Sequence, residues 1–109
     1  MLNFIKNIQS RAKARKTLYD SIELTHDAIL SAHRTEGTDE EETRALIREF
    51  ESQMLRYIKD TSRLTLVEKW WYAKDLRNKS DHVIDMALIV SKLIWITTLH
   101  RNKAHESQI

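Results

Sequence analysis

Histidine and carboxylate side chains are paired at helical spacing twice in this sequence. Glu23 and His26 stand three residues apart, and His82 and Asp85 repeat that separation in the opposite order. On a helix such a pair shares one face, as the ligands of di-iron bundles do. Those centres need two Glu-x-x-His pairs and two further glutamates, and this sequence has one such pair. We therefore predict no metal site and no cofactor, and interpret both histidines as surface or half-buried residues beside an acid.

A run of acids, Glu40 to Glu42, invites comparison with helical enzymes that hold Mg²⁺ through carboxylates. Such a site needs matching acids on a facing helix, and a helix start favours negative charge without any metal. The single glycine, Gly37, excludes phosphate-cradling loops, and the absence of cysteine excludes thiol nucleophiles and thiolate metal sites. We predict that the protein is not an enzyme.

An aromatic triplet is interleaved with bases further along the chain. Trp70, Trp71 and Tyr72 cannot all face one core, since successive helical residues point about 100° apart. Tryptophan and tyrosine dominate binding hot spots, so the triplet is a candidate partner interface. Stacking on unpaired bases of a nucleic acid is the alternative, because Lys69, Lys74 and neighbouring bases could contact phosphates.

Composition bounds the class of protein. The chain has 109 residues, 41% hydrophobic and 31% charged, which predicts one soluble globular domain covering 1–109. No apolar run of about 18 residues is present, so a spanning helix is not expected. The absence of cysteine fits a reducing compartment. We predict a cytoplasmic protein, with peripheral attachment to a membrane as an option.

Turn chemistry divides the chain into helices. Gly37 ends the first helix, and Thr38 with Glu41 predicts a capping box that opens a second helix over about 39–60. Thr65 and Glu68 predict another box and a third helix over 65–78. Ser80 then serves as the N-cap of a fourth helix to about 102, although one helix over 65–102 is the alternative. Residues 103–109 are expected to fray. The fold class is an all-α, up-down bundle of three to four helices.

The first helix begins with bases and no acid before Asp20. At 1.5 Å per residue, a helix from residue 2 to 34 is about 50 Å long, so it either bends near Lys16 and Thr17 or projects from the bundle. Residues 1–16 form a basic amphipathic arm that suits an anionic membrane surface or nucleic acid. Its bases are Lys6, Arg11, Lys13, Arg15 and Lys16.

The fourth helix carries more apolar side chains than one face can hold. One broad arc is predicted to face the core: Val83, Met86, Ile89, Val90, Leu93, Ile94 and Ile96. A second arc mixes large apolar groups with charges, which is typical of an interface, although a helix buried on both sides is the alternative. Its apolar members are Ile84, Leu88, Trp95 and Leu99, interleaved with Asp81, Asp85 and Lys92.

These features predict function through a surface. We expect a non-enzymatic helical protein-protein interaction module, an adaptor, inhibitor or regulator that binds a protein partner and self-associates as a homo-oligomer. Charge segregation along the chain favours oriented docking: residues 1–19 hold five bases and no acid, whereas residues 36–51 hold seven acids and two bases. A nucleic-acid or anionic-membrane-surface binder that uses the basic N-terminal helix is the alternative.

Overall fold

A computed structural model describes the backbone of residues 2–34 and 40–107, and the side chains of residues 3–34 and 40–95. Four helices follow one another: α1, Leu2–Arg34; α2, Glu40–Ser62; α3, Leu66–Trp71; and α4, Ala73–Ser107. The all-α fold class is confirmed. The long helices run up, down and up in a molecule of 69 × 19 × 17 Å.

Local signals account for the starts of α2 and α3. Glu40, Glu41 and Glu42 occupy the first turn of α2, where negative charge offsets the helix dipole. At α3 the predicted capping box is present: the Glu68 N–H donates to Thr65 Oγ1 at 3.3 Å, and the Thr65 N–H donates to Glu68 Oε1 at 3.4 Å. The other predicted box depends on Thr38, which lies outside the described residues.

The boundary between the third and fourth helices differs from the prediction. The break falls at Tyr72, whose φ of −105° and ψ of 18° end α3, and α4 then runs unbroken through Ser80. Lys79 and Asp75 form an ion pair of 3.2 Å across the segment where a break was expected. This i,i+4 pair supports the helix, and Ser80 with its polar neighbours does not break it, since no glycine or proline is present there.

α1 is one continuous helix that runs unbroken through Lys16 and Thr17. The Thr17 hydroxyl donates to the Lys13 carbonyl oxygen at 3.0 Å, an i−4 bond compatible with regular helix. Residues 3–7 are exposed and Ile8 is buried, so the front of α1 leaves the bundle by little more than one turn. At the other end of the chain α4 extends to Ser107, five residues past the expected end.

The core lies where α1 packs against α2 and α4. Its buried members are Ile22, Ile29, Phe50, Tyr57, Val83, Met86 and Val90. Of the arc of α4 assigned to the core, Val83, Met86 and Val90 are buried, but Ile89 and Ile94 are exposed. The predicted arc was too wide, because the neighbouring helices cover only its centre. Ile96 lies outside the described side chains.

Candidate interaction surfaces

Glu68 is a buried carboxylate at the centre of a charged cluster that fastens α3 to α1. Its side chain is 1% exposed. Arg11 donates to it through both Nε and Nη2, at 3.1 and 2.9 Å, and Arg15 Nη1 lies 3.6 Å from Oε2. The hydrogen bond from Arg11 holds the pKa of Glu68 below its usual range against the opposing effect of burial, and Thr65 adds to the lowering. The same hydrogen bond raises the pKa of Arg11.

This Glu68 cluster changes the interpretation of the basic arm. Two of its five bases, Arg11 and Arg15, bind Glu68 within the molecule. Arg15 is buried, with its guanidinium carbon 5.5 Å from the centre of the Tyr72 ring. The remaining three, Lys6, Lys13 and Lys16, are exposed. An acid far away in the sequence therefore engages two of the five bases assigned to the arm, and three remain exposed.

The polarity of α3 is inverted relative to an ordinary surface helix. Its charged Glu68 faces inward, and the exposed face is apolar: Leu66 is 84% exposed, Trp70 is 81% exposed, and Val67 and Trp71 are also exposed. Within the predicted aromatic interface, Trp70 and Trp71 are accordingly available to a partner. Tyr72 is only partly exposed, and its ring lies 6.4 Å from that of Trp71.

An apolar stripe runs along α4. Ile84, Leu88 and Trp95 are all exposed, and at about 100° per residue they fall within a narrow angular range on the helix. The predicted second arc of α4 is thus solvent-facing as far as its side chains are described, while Leu99 lies outside that range. Ile89 and Ile94 are also exposed, and they lie on opposite flanks of the helix, each about 100–120° from the centre of the stripe.

A groove lies beside this α4 stripe, between α2 and α4. It encloses a cavity of about 280 Å³. Met54, Ile58 and Thr61 line it from α2, and Ile84, Leu88 and Ser91 line it from α4, with Tyr57, Val83, Ala87 and Ser80 at its floor and end. Both walls repeat apolar or small side chains at intervals of four and three residues, the spacing of a helix packing surface. The groove is therefore shaped for a further helix.

Tyr19 of α1 packs against side chains of α2 and α4. The rings of Tyr57 and His82 lie 6.3 and 6.1 Å from that of Tyr19, and Lys79 Nζ lies 5.3 Å from the centre of the Tyr19 ring. Burial raises the pKa of Tyr19, with a hydrogen bond to Glu23 adding to the rise, and burial likewise raises the pKa of Tyr57. Both phenols stay protonated at neutral pH, opposite to the needs of a phenolate base.

The two histidines considered as metal ligands have different surroundings. His26 is buried beside Phe50, with Nδ1 3.2 Å from Asp27 Oδ1, whereas His82 is exposed. Across residues 3–34 and 40–95, no group of three or more histidine or acidic side chains is placed to hold a metal ion. That neither site binds metal stays a prediction.

His26 Nε2 is buried and lacks a hydrogen-bond partner among the described residues. We expect His26→Leu to raise the free energy of unfolding by roughly 1 kcal/mol, because an apolar group of similar size removes a buried polar atom left unsatisfied. Chemical denaturation measures this change. The control is His33→Leu at an exposed position of the same helix, where little change is expected. A clear loss of stability in His26→Leu alone would show that Nε2 has a partner or that the Nδ1 contact with Asp27 stabilises the fold.

The structure is that of a slender helical bundle, and among the described side chains it exposes two apolar faces, one on α3 and one on α4. Searches of protein-family models, of curated proteins and of solved structures find no match to this chain.

None of the helices, over the residues that the structure describes, is both long and apolar enough to cross a membrane.

Proposed function

We propose that the protein is a non-enzymatic helical interaction module that self-associates through the α4 stripe, which borders the groove between α2 and α4. The proposal rests on one observation: the α4 stripe is exposed and borders an apolar groove. The side chains that line the groove are spaced as on a surface where helices pack. In the dimer, the α4 stripes of the two protomers pack against each other, and each stripe also borders the groove of its own protomer. The same patch thus serves on both sides, as a two-fold interface requires.

The proposed interface has the composition of a stable contact. Leu88 is 64% exposed, and Ile58 and Trp95 are more than half exposed. Burying each such side chain contributes on the order of 1–2 kcal/mol. Large apolar groups at the centre and charges at the rim are the usual anatomy of protein interfaces.

Charges beside the stripe favour a second copy as the occupant, in antiparallel orientation. Asp85 and Lys92 stand seven residues apart, so they lie on the same edge of α4, one on each side of Leu88 along the helix. In an antiparallel pair centred near Leu88, Asp85 of each protomer faces Lys92 of its partner, which forms two intermolecular ion pairs. Neither residue has an ion pair among the described side chains. A parallel pair does not bring them together.

The charge arrangement supplies a test specific to self-association. We expect Asp85→Lys and Lys92→Asp each to weaken the dimer about tenfold, since each change turns two attractive contacts into two repulsive ones. Combined, the two substitutions restore the attraction and should recover most of the affinity. Sedimentation equilibrium at low salt measures the dissociation constants.

Substitution at the centre of the stripe complements that test. Leu88→Asn should produce a monomer at concentrations where the parent chain is dimeric, while helicity and melting of the monomer remain intact. Leu24→Asn is the matched control, because Leu24 is 70% exposed on α1, away from the groove. A parent chain that is monomeric at all concentrations, or a double charge variant that is weaker than both single variants, would refute the antiparallel dimer.

A further inference from the structure

The exposed face of α3 contributes no residue to the groove between α2 and α4, so a different partner is needed to cover it. Its apolar side chains, Leu66, Val67, Trp70 and Trp71, all face solvent, although an amphipathic helix ordinarily turns such residues inward. Hydrophobic packing against the bundle therefore does not explain them. The helix is held instead by the Glu68 cluster, which fixes the apolar face outward.

We propose that α3 is a docking element for the surface of an anionic lipid bilayer, with its apolar face inserted between the headgroups. The face spans less than two helical turns. A small, exposed apolar face suits insertion into a lipid interface, where tryptophan is favoured because its ring is apolar and its N–H is polar.

Charge complementarity selects anionic lipid. Residues 63–79 hold five bases, Arg63, Lys69, Lys74, Arg77 and Lys79, against two acids, Glu68 and Asp75. Glu68 is paired with Arg11 and Asp75 with Lys79, which leaves four bases of this segment outside the ion pairs of the described side chains: Arg63, Lys69, Lys74 and Arg77. Lys69 lies next to the apolar face of α3, about 60° from Leu66 around the helix, and Lys74 is exposed in the first turn of α4. Bases flanking an apolar face are the usual composition of an interfacial helix.

The start of α1 adds apolar surface at the same end of the molecule. Phe4 and Ile5 are exposed, and they precede Arg11 by about two helical turns. Arg11 itself contacts Glu68 of α3. The acidic first turn of α2, Glu40 to Glu42, comes after the opposite end of α1. Docking through α3 thus directs the basic end toward the lipid and the acidic end away from it.

The experiment uses the full chain with vesicles of phosphatidylcholine alone and of phosphatidylcholine mixed with phosphatidylglycerol. We expect co-sedimentation with the mixed vesicles, weakened by salt, and much less with phosphatidylcholine alone. Leu66→Ser and Trp70→Ser should each lower the partition coefficient about tenfold, because each removes a large side chain from the inserted face. Lys69→Gln should lower it about fivefold on mixed vesicles only.

Leu24→Ser is the matched control for Leu66→Ser, since both leucines are exposed helical residues and only Leu66 belongs to α3. It should bind vesicles as the parent chain does. In a chain carrying Trp71→Phe and Trp95→Phe, the emission of Trp70 should shift to shorter wavelength on mixed vesicles. Equal binding by the Leu24 and Leu66 variants, an unshifted Trp70 emission, or Trp70-dependent binding of single-stranded oligonucleotides without binding of vesicles would each overturn the proposal.

Discussion

Glu68→Gln should destabilise the protein by roughly 3 kcal/mol, near the lower end of the cost of removing one partner from a buried ion pair. The carboxylate is 1% exposed and accepts two hydrogen bonds from Arg11. Glutamine keeps the size of the side chain but cannot neutralise the buried guanidinium of Arg15, which stays within the molecule. Denaturant titration followed by circular dichroism measures the loss.

Glu51→Gln is the control for this substitution, because Glu51 is an exposed glutamate of α2. We expect its stability to stay within about 0.5 kcal/mol of the parent chain. A Glu68 variant as stable as the Glu51 variant would mean that the Glu68 cluster contributes orientation to α3 but little free energy.

The pH dependence of the same variant gives a second readout. The pKa of Glu68 is lower in the folded chain than the ordinary value of a glutamate in the unfolded chain, because the carboxylate is hydrogen-bonded to Arg11. Its contribution to stability is therefore fully present above that unfolded value and is lost as the pH falls through the folded pKa. The parent chain should lose stability over this acidic range, and Glu68→Gln should lose less of it. Parallel curves would exclude a contribution from this carboxyl group.

Phe50→Ala should cost about 3–5 kcal/mol, the range for emptying a buried aromatic site. Phe50 is 1% exposed and is one of the largest side chains of the core, beside His26 of α1. The bundle is slender, so few neighbours can move to fill the cavity. Thermal and chemical unfolding measure the loss.

Leu55→Ala on the same helix is the comparison, since Leu55 is more than half exposed. Its cost should stay near 0.5 kcal/mol. Similar losses for the two variants would indicate that α2 packs through another face.

Sequence reasoning predicted the elements that depend on local chemistry. The capping box of Thr65 and Glu68 was predicted because both partners lie within one turn. The end of α3 at Tyr72 was not, since no glycine, proline or small polar residue marks it. Ser80 is suited to an N-cap, yet it lies inside α4, where propensity and the Lys79–Asp75 pair favour a continuing helix.

For a similar reason, the sequence predicted the α4 stripe but not the Glu68 cluster. The exposure of Ile84, Leu88 and Trp95 follows from the spacing along α4. The Glu68 cluster joins residues 57 positions apart, a pairing that no local pattern reveals. A sign was present nonetheless, because Arg11 and Arg15 are one turn apart on α1 and face the same side. Two bases so placed suit a single carboxylate.

Because Glu68 is the buried residue of α3, attachment of this helix depends on charge, whereas attachment of the long helices depends on apolar area. The two kinds of contact respond differently to conditions: acid and salt weaken the first, and cooling weakens the second. We therefore expect α3 to open as a separate unit while the core stays closed. Its opening would free the guanidinium groups of Arg11 and Arg15 from Glu68 and let the exposed apolar face of α3 move in the same local event.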